Sequence, residues 1–335
     1  MKASIIRKYG NNEVVEFSED FPKPIATETD LIIRMRAASV NPIDWKVMRG
    51  DAKVLLKYPM PHVLGNDGAG VVIEVGAKVN KFKIGDEVYF RPGKTKIVGT
   101  FAEYCAVKQD EVALKPKNIS FDEAAGIPLA GLTAWQALFE FGNLQQGQRV
   151  LIHAGAGGVG SLAIQLAKSI GAEVATTTST SNVELVKSLG ADIIIDYKKE
   201  QFEEKLKGYD LVFDTLGGLI RDKSYQVLKP GGKLVSISGI PTSDIAVDYG
   251  LNPIFRGLFF LLNLRNSISA NSHKIIYKYL LMHADGDQLS KISKLIEDRK
   301  IKPLVDRIFD LKHVRDAFEY QQTGRAKGKI IIHIS

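Results

Sequence analysis

An α/β fold, in which a β-rich lobe precedes a doubly wound parallel sheet, is what this sequence predicts. Three observations carry the prediction. Residues 1 to about 120 hold short strand-like runs divided by Gly, Pro and Asp. From about residue 121 the pattern changes to alternating helices and strands. Residues 149–160 then read as strand, glycine-rich turn and helix start. A chain of 335 residues is long enough for two such domains, and 45% hydrophobic against 25% charged residues is ordinary for a globular protein rather than a disordered one.

In the first region the strand-like runs are 31–36, 70–75, 87–90 and 102–107. Cys105 lies in the last of them and is expected simply as a strand residue. A single cysteine excludes an internal disulfide, and six histidines without HxxxH or CxxC spacing offer no metal site by pattern. The second region opens with helical segments at 121–125 and 133–139. Strands follow at 149–154, 172–178, 191–196, 209–214 and 232–238. A sixth strand at 276–281 completes the usual set, with a helix at 287–299 leading out of it. The tail, 302–335, holds a strand, a helix around 314–320 and a last strand at 329–334, and is expected to return to the first domain. The domains expected are therefore 1–122 with 293–335, and 123–292.

The glycine turn has a direct physical reading. Val150, Leu151 and Ile152 form an apolar run suited to a buried central strand. Gly155 permits a tight turn, Gly157 lets backbone approach a diphosphate, and Gly160 allows close packing of helix on strand. Gly158 and Val159 open the helix, whose free N–H groups and positive dipole end favour an anion. Val159, Leu162, Ala163, Leu166 and Ile170 keep helical spacing, and Gly171 supplies the stop. A bound dinucleotide, and hence a redox enzyme, is the implication.

The N-terminus lacks an apolar signal core, and the longest apolar run, 258–262, is far short of a membrane span, so a cytoplasmic protein is expected. The net charge of +7 reads as a solvated basic surface, because no Lys/Arg block or nucleic-acid recognition motif accompanies it. Segment 252–265 is denser in apolar residues than one amphipathic face requires. Three readings stand for it: a cap over an active-site cleft, a helix packed on the core or at a dimer interface, and a peripheral membrane contact.

Five stretches, 37–46, 65–72, 126–138, the glycine loop and 324–329, resemble the medium-chain dehydrogenase/reductase superfamily in its order of motifs. The branch resembled is that of the zinc-independent quinone oxidoreductases and 2-alkenal reductases. The resemblance implies a GroES-like β domain, a Rossmann domain, an active site in the cleft between them, and a homodimer. Zinc-bearing relatives use Cys, His and usually a second Cys at positions that here are Asn41, Asn66 and Ile127, and their proton-relaying hydroxyl is replaced by Ile43. Neutral Asn is a poor zinc ligand and Ile has no donor atom, so no zinc is expected. Reduction of an already electrophilic acceptor, a quinone, enal or enone, then fits better than alcohol oxidation.

The resemblance also implies site residues. Asn41 would lie beside the nicotinamide, or alternatively form the turn before Pro42; Thr133 would lie near the ring, with Pro128 shaping that turn. Asp44 and Lys46 are catalytic candidates, Lys46 stabilising charge on the substrate oxygen or relaying a proton, or else pairing with Asp44 at the surface. Gly217, Gly239 and Lys329 would line the cofactor channel, unless Lys329 is merely an exposed opening of the last strand. At 176–182, including Thr178 and Ser179, no acid is present to bind a ribose 2′-hydroxyl, which favours NADPH. The basic residue common in resembling loops is replaced by Ser181 or Asn182, Tyr197 is kept, and Lys198 or Lys199 either substitutes or is a solvated loop lysine. An enoyl-thioester reductase is the alternative enzyme; an NADPH-binding structural or RNA-binding protein is the alternative outside catalysis.

Overall fold

The computed structural model describes residues 1–51, 53, 58–93 and 99–335. The chain divides into two compact units, Met1–Leu132 with His283–Ser335, and Thr133–Met282.

In the first unit, strand Asp30–Val40 pairs antiparallel with Gly68–Val75, Tyr104–Lys108 and Lys329–His333. Leu31, Ile33 and Met35 from it meet Val72, Phe90, Cys105 and Val107 in a buried core. Cys105 is a buried strand residue facing Ile33, as expected. A smaller sheet joins Val15–Ser18, Ala3–Ile6 and His62–Val63. The register of the tail matters most for function: Ile330 lies opposite Val40, so the return of the C-terminal strand brings Lys329 to the residue that follows, Asn41.

The second unit is a parallel sheet in the order Ile193–Asp196, Glu173–Thr178, Arg149–Ile152, Tyr209–Asp214, Leu228–Ser236, Ile276–Tyr279. This is the Rossmann order 3-2-1-4-5-6, whose chain reverses direction beside its first strand and so leaves a crevice at the carboxyl ends. Leu151, Val212 and Leu234 are fully buried, as expected for strands covered on both faces.

The divisions fall at 132/133 and 282/283, later and earlier than the expected 122/123 and 292/293. Packing explains both shifts. Helix Phe121–Ala125 lies against strands Asp30–Val40 and Gly68–Val75, and His333 Nδ1 meets Asp122 at 3.0 Å. Helix Gly286–Glu297 is held to the first unit by Tyr89, whose hydroxyl donates to the Leu289 carbonyl at 2.7 Å, and by Ser293, which donates to the Leu114 carbonyl at 2.9 Å. Pro128 does not shape a turn: it opens helix Pro128–Trp135, where its missing N–H costs nothing.

Segment 252–265 belongs to helix Pro253–Ser272, started by Asn252, whose Oδ1 accepts the Ile254 N–H at 2.8 Å. Phe259, Asn263 and Ala270 are buried, while Ile254, Phe260, Leu261 and Ile268 are more than half exposed. Among the described residues no helix is long and apolar enough to cross a membrane.

Candidate active site

The glycine loop leaves strand Arg149–Ile152 and enters helix Gly158–Ser169 through Gly157 as its N-terminal cap. The left-handed residue of the turn is Ala154, with φ of 53°, one position before Gly155. Gly155 is required for another reason: a Cβ there would stand 2.1 Å from Thr176 Oγ1. At Gly160 a Cβ would stand 2.4 Å from the Ala154 carbonyl oxygen, so this glycine does permit the close approach of helix and turn. A Cβ at Gly157 meets nothing nearer than 3.3 Å, so backbone there is open to a ligand. Gly157, Gly158 and Val159 are partly exposed, and the first N–H groups of the helix point out of it unpaired by helix geometry. Beneath the turn His153 is fully buried between Thr177 Oγ1 at 3.1 Å and Ser224 Oγ at 2.9 Å. Burial pulls its imidazole down to about 4, so it is neutral at physiological pH.

Other residues expected to line a cofactor lie in the same unit. Gly217 has φ of 73° and donates its N–H to Asp214 Oδ1 at 2.8 Å; Gly239 has φ of 104°, and a Cβ there would stand 3.3 Å from Arg221 Nη1. Thr178 is buried, Ser179 is partly exposed, and Tyr197 is 60% exposed. Thr133 is buried within its helix.

The first unit holds a buried charged network that sequence reading located only in part. Asp67 is its hub and is completely buried. Asp67 Oδ2 accepts from Ser39 Oγ at 2.6 Å, from Asn41 Nδ2 at 2.7 Å and from Lys329 Nζ at 3.3 Å, while Oδ1 accepts the Leu129 N–H at 2.6 Å. Lys329 Nζ also donates to Asn41 Oδ1 and to the Val40 carbonyl. Four residues from three separate stretches thus surround one carboxylate. Lys329 is 7% exposed, not an exposed strand opening.

A second buried carboxylate lies beside the first. Asp44, in the first turn of helix Pro42–Arg49, accepts the Asn41 N–H at 2.7 Å through Oδ2 and Asn66 Nδ2 at 2.6 Å through Oδ1. Burial pushes its carboxyl up to about 7, against the opposing pull of the Asn66 and Asn41 donors. Asp44 forms part of the wall of a cavity of ≈ 20 Å³ together with Tyr58, His62, Asn66 and Pro92. Tyr58 stacks on His62 with ring centroids 4.2 Å apart.

The structure therefore gathers Asn41, Asp44 and Lys329, but not Lys46. Lys46 is exposed, its ammonium 5.8 Å from the Trp45 ring centre, and the expected surface pair with Asp44 does not form because Asp44 faces inward. Asp67 was missed as a member of this network. Its signal was an acid inside the Gly65–Gly70 stretch, where a charge entering a buried strand demands partners.

Two family models match the chain: the alcohol dehydrogenase GroES-like domain over residues 27–117, and the model described as zinc-binding dehydrogenase over 189–332. A 2-methylene-furan-3-one reductase of Solanum lycopersicum is 39% identical over 99% of this chain and 79% of its own length. An NADPH-dependent alkenal/one oxidoreductase, chloroplastic, of Arabidopsis thaliana is equally similar, at 39% with the same coverage. Among solved structures, the quinone oxidoreductase from Coxiella burnetii superposes with a TM-score of 0.86 at 35% identity, covering 100% of this chain and 99% of that one. With its GroES-like and Rossmann units and these relatives, the chain belongs to the medium-chain dehydrogenase/reductase superfamily, in its quinone and alkenal oxidoreductase branch.

Proposed function

We propose that this oxidoreductase is zinc-independent and uses NADPH to reduce quinones and the C=C bond of α,β-unsaturated carbonyl compounds. The observation that carries the reading is the commitment of two asparagines. Asn41 and Asn66, at the positions where zinc-bearing relatives have ligands, donate their amides to Asp67 and Asp44 at 2.7 and 2.6 Å. Ile127, at the third position, is buried and has no donor atom. Zinc takes thiolate, imidazole or carboxylate ligands in tetrahedral array, so this set does not fit the ion. Without a Lewis acid an alcohol loses the metal-assisted route to its alkoxide, whereas an electrophilic alkene or quinone accepts hydride directly.

A nicotinamide dinucleotide does fit the second unit. Gly155 and Gly160 occupy places that a Cβ would fill, Gly157 leaves the open side, and Gly158, Val159 and Gly160 offer helix N–H groups to a diphosphate. When bound, the nicotinamide supplies hydride. Support for NADPH comes from the acid-free end of strand Glu173–Thr178 and from the alkenal/one relative's name. In the first unit Lys329 and Asn41 provide a fixed cation and amide, held rigid by Asp67. Asp44 holds a proton at its cavity wall and serves as the acid that protonates the reduced carbon or oxygen.

The test is incubation of the full chain with NADPH and a panel of enals, enones, quinones and enoyl thioesters, following loss of reduced-nicotinamide absorbance. Turnover of enals, enones or quinones, unchanged by a chelator, is expected, with simple alcohols and NADP+ silent. Oxidation of no acceptor overturns the enzymatic reading, alcohol turnover abolished by chelation overturns the zinc-free reading, and clear preference for enoyl thioesters moves the substrate class.

A further inference from the structure

Although no acid ends strand Glu173–Thr178, one arrives there from the neighbouring strand. Asp196 is the last residue of Ile193–Asp196 and pairs in register with Thr178. Its side chain is tied on both oxygens. Oδ2 accepts from Thr180 Oγ1 at 2.6 Å and lies 3.6 Å from Lys199 Nζ, and Oδ1 accepts the Lys198 N–H at 3.1 Å. The residue is 6% exposed. In front of it the turn Thr180–Asn182 presents hydroxyls: Ser179 and Ser181 are 3.3 Å apart, and Asn182 Nδ2 donates to Ser179 at 3.2 Å. Asn182 Oδ1 is buried without a hydrogen-bond partner.

This rim stands at the end of the second strand, where a doubly wound sheet meets the adenosine ribose. An acid at that end ordinarily accepts from the 2′-hydroxyl and repels a 2′-phosphate. Here the acid is present but withheld. We infer that Thr180 and Asp196 form a latch that sets the nucleotide preference, the Thr180 hydroxyl and Lys199 holding the carboxylate away from the ribose and leaving the serine hydroxyls to donate to a 2′-phosphate. The inference rests on the nicotinamide reading above. The Thr180 hydroxyl, the chief cause, keeps the Asp196 carboxyl below the ordinary carboxylate range, so the charge being withheld is a full one.

Two substitutions of nearly equal volume act in opposite directions. Thr180→Val removes the donor and frees the charge to turn towards the ribose. Asp196→Asn removes the charge. Thr180→Ser keeps the hydroxyl and serves as the control. Calorimetric titration of each full-length variant with NADP+ and with NAD+ reads the ratio of the two dissociation constants, independently of any acceptor. The wild-type chain is expected to prefer NADP+, with Thr180→Val lowering that preference about fivefold, Asp196→Asn raising it about threefold, and Thr180→Ser leaving it within about twofold. A chain that binds both nucleotides with a preference unmoved in Val and Asn variants, or weakened equally for both, overturns the latch and leaves the nicotinamide reading standing. A wild-type chain that binds neither nucleotide overturns both.

Discussion

Under the function proposed, the two units would bind their ligands by opposite means. The second would do it with side chains that are missing: at Gly155 and Gly160 a methyl group would collide with Thr176 Oγ1 and the Ala154 carbonyl, and the groups offered to a ligand are backbone N–H. The first would do it with side chains that are costly to bury, two carboxylates and an ammonium that are each less than 8% exposed. A backbone cradle binds what every such sheet binds, whereas buried charge confers a particular chemistry and makes folding depend on its pairing. Substitution should therefore cost stability in the first unit and nucleotide affinity in the second.

The largest effect is expected at Lys329. Lys329→Met takes from Asp67 its one cationic partner among the described contacts, and loss of one partner from a buried pair costs about 3–5 kcal/mol. Chemical denaturation would read it. If the cost is that of an unpaired charge, the double variant Asp67→Asn with Lys329→Met loses less than the sum of the single losses. Strict additivity would mean that the pair is not coupled.

A slightly smaller effect belongs to Asp44 and appears as pH dependence. Its folded carboxyl titrates near 7 and its unfolded one near 3.8. Between these values the native state keeps a proton that the unfolded chain releases, so stability falls as pH rises from about 4 to about 7 and is flat above. The loss is on the order of a few kcal/mol. Melting temperature against pH should show this slope in the wild type and not in Asp44→Asn; identical slopes would remove Asp44 as the titrating group. The same ionisation predicts that turnover declines above about pH 7 as the acid is lost.

In the second unit, Gly160→Ala places a methyl group 2.4 Å from the Ala154 carbonyl oxygen, a backbone atom that has little room to move. Overpacking of this kind costs about 1–3 kcal/mol. Calorimetry should show nucleotide affinity falling by a larger factor than for Lys329→Met. Equal affinity losses would erase the contrast between the units.

Legibility in the sequence followed the same division. The glycine cradle is local, so periodicity and glycine spacing over 149–171 were enough to find strand, turn and helix. The strain at Ala154 was not legible, because a left-handed alanine has no composition signal. The charged network was legible only through the motif residues Asn41, Asp44 and Lys329. Asn41 and Lys329 are 288 positions apart, and only the antiparallel register of Ile330 on Val40 makes them neighbours. Asp196 escaped for the same reason: a parallel neighbour, not the strand itself, delivers the acid to the end of Glu173–Thr178. The domain divisions were displaced because helices Phe121–Ala125 and Gly286–Glu297 look alike in sequence whichever sheet they cover.

The smallest effect is expected at Lys46, and it separates sequence proximity from structural membership. Lys46 stands two residues from Asp44 in the same helix, but 200° of helical rotation puts its exposed ammonium over Trp45 while Asp44 turns inward. Its contact is a solvated cation–π pair, and surface substitutions of this kind stay within about 0.5 kcal/mol. Lys46→Gln should therefore leave kcat/KM for an enone within about twofold, since no group of the buried network loses a partner. A tenfold fall would place a second ammonium in the chemistry and transfer to Lys46 part of the role proposed for Lys329.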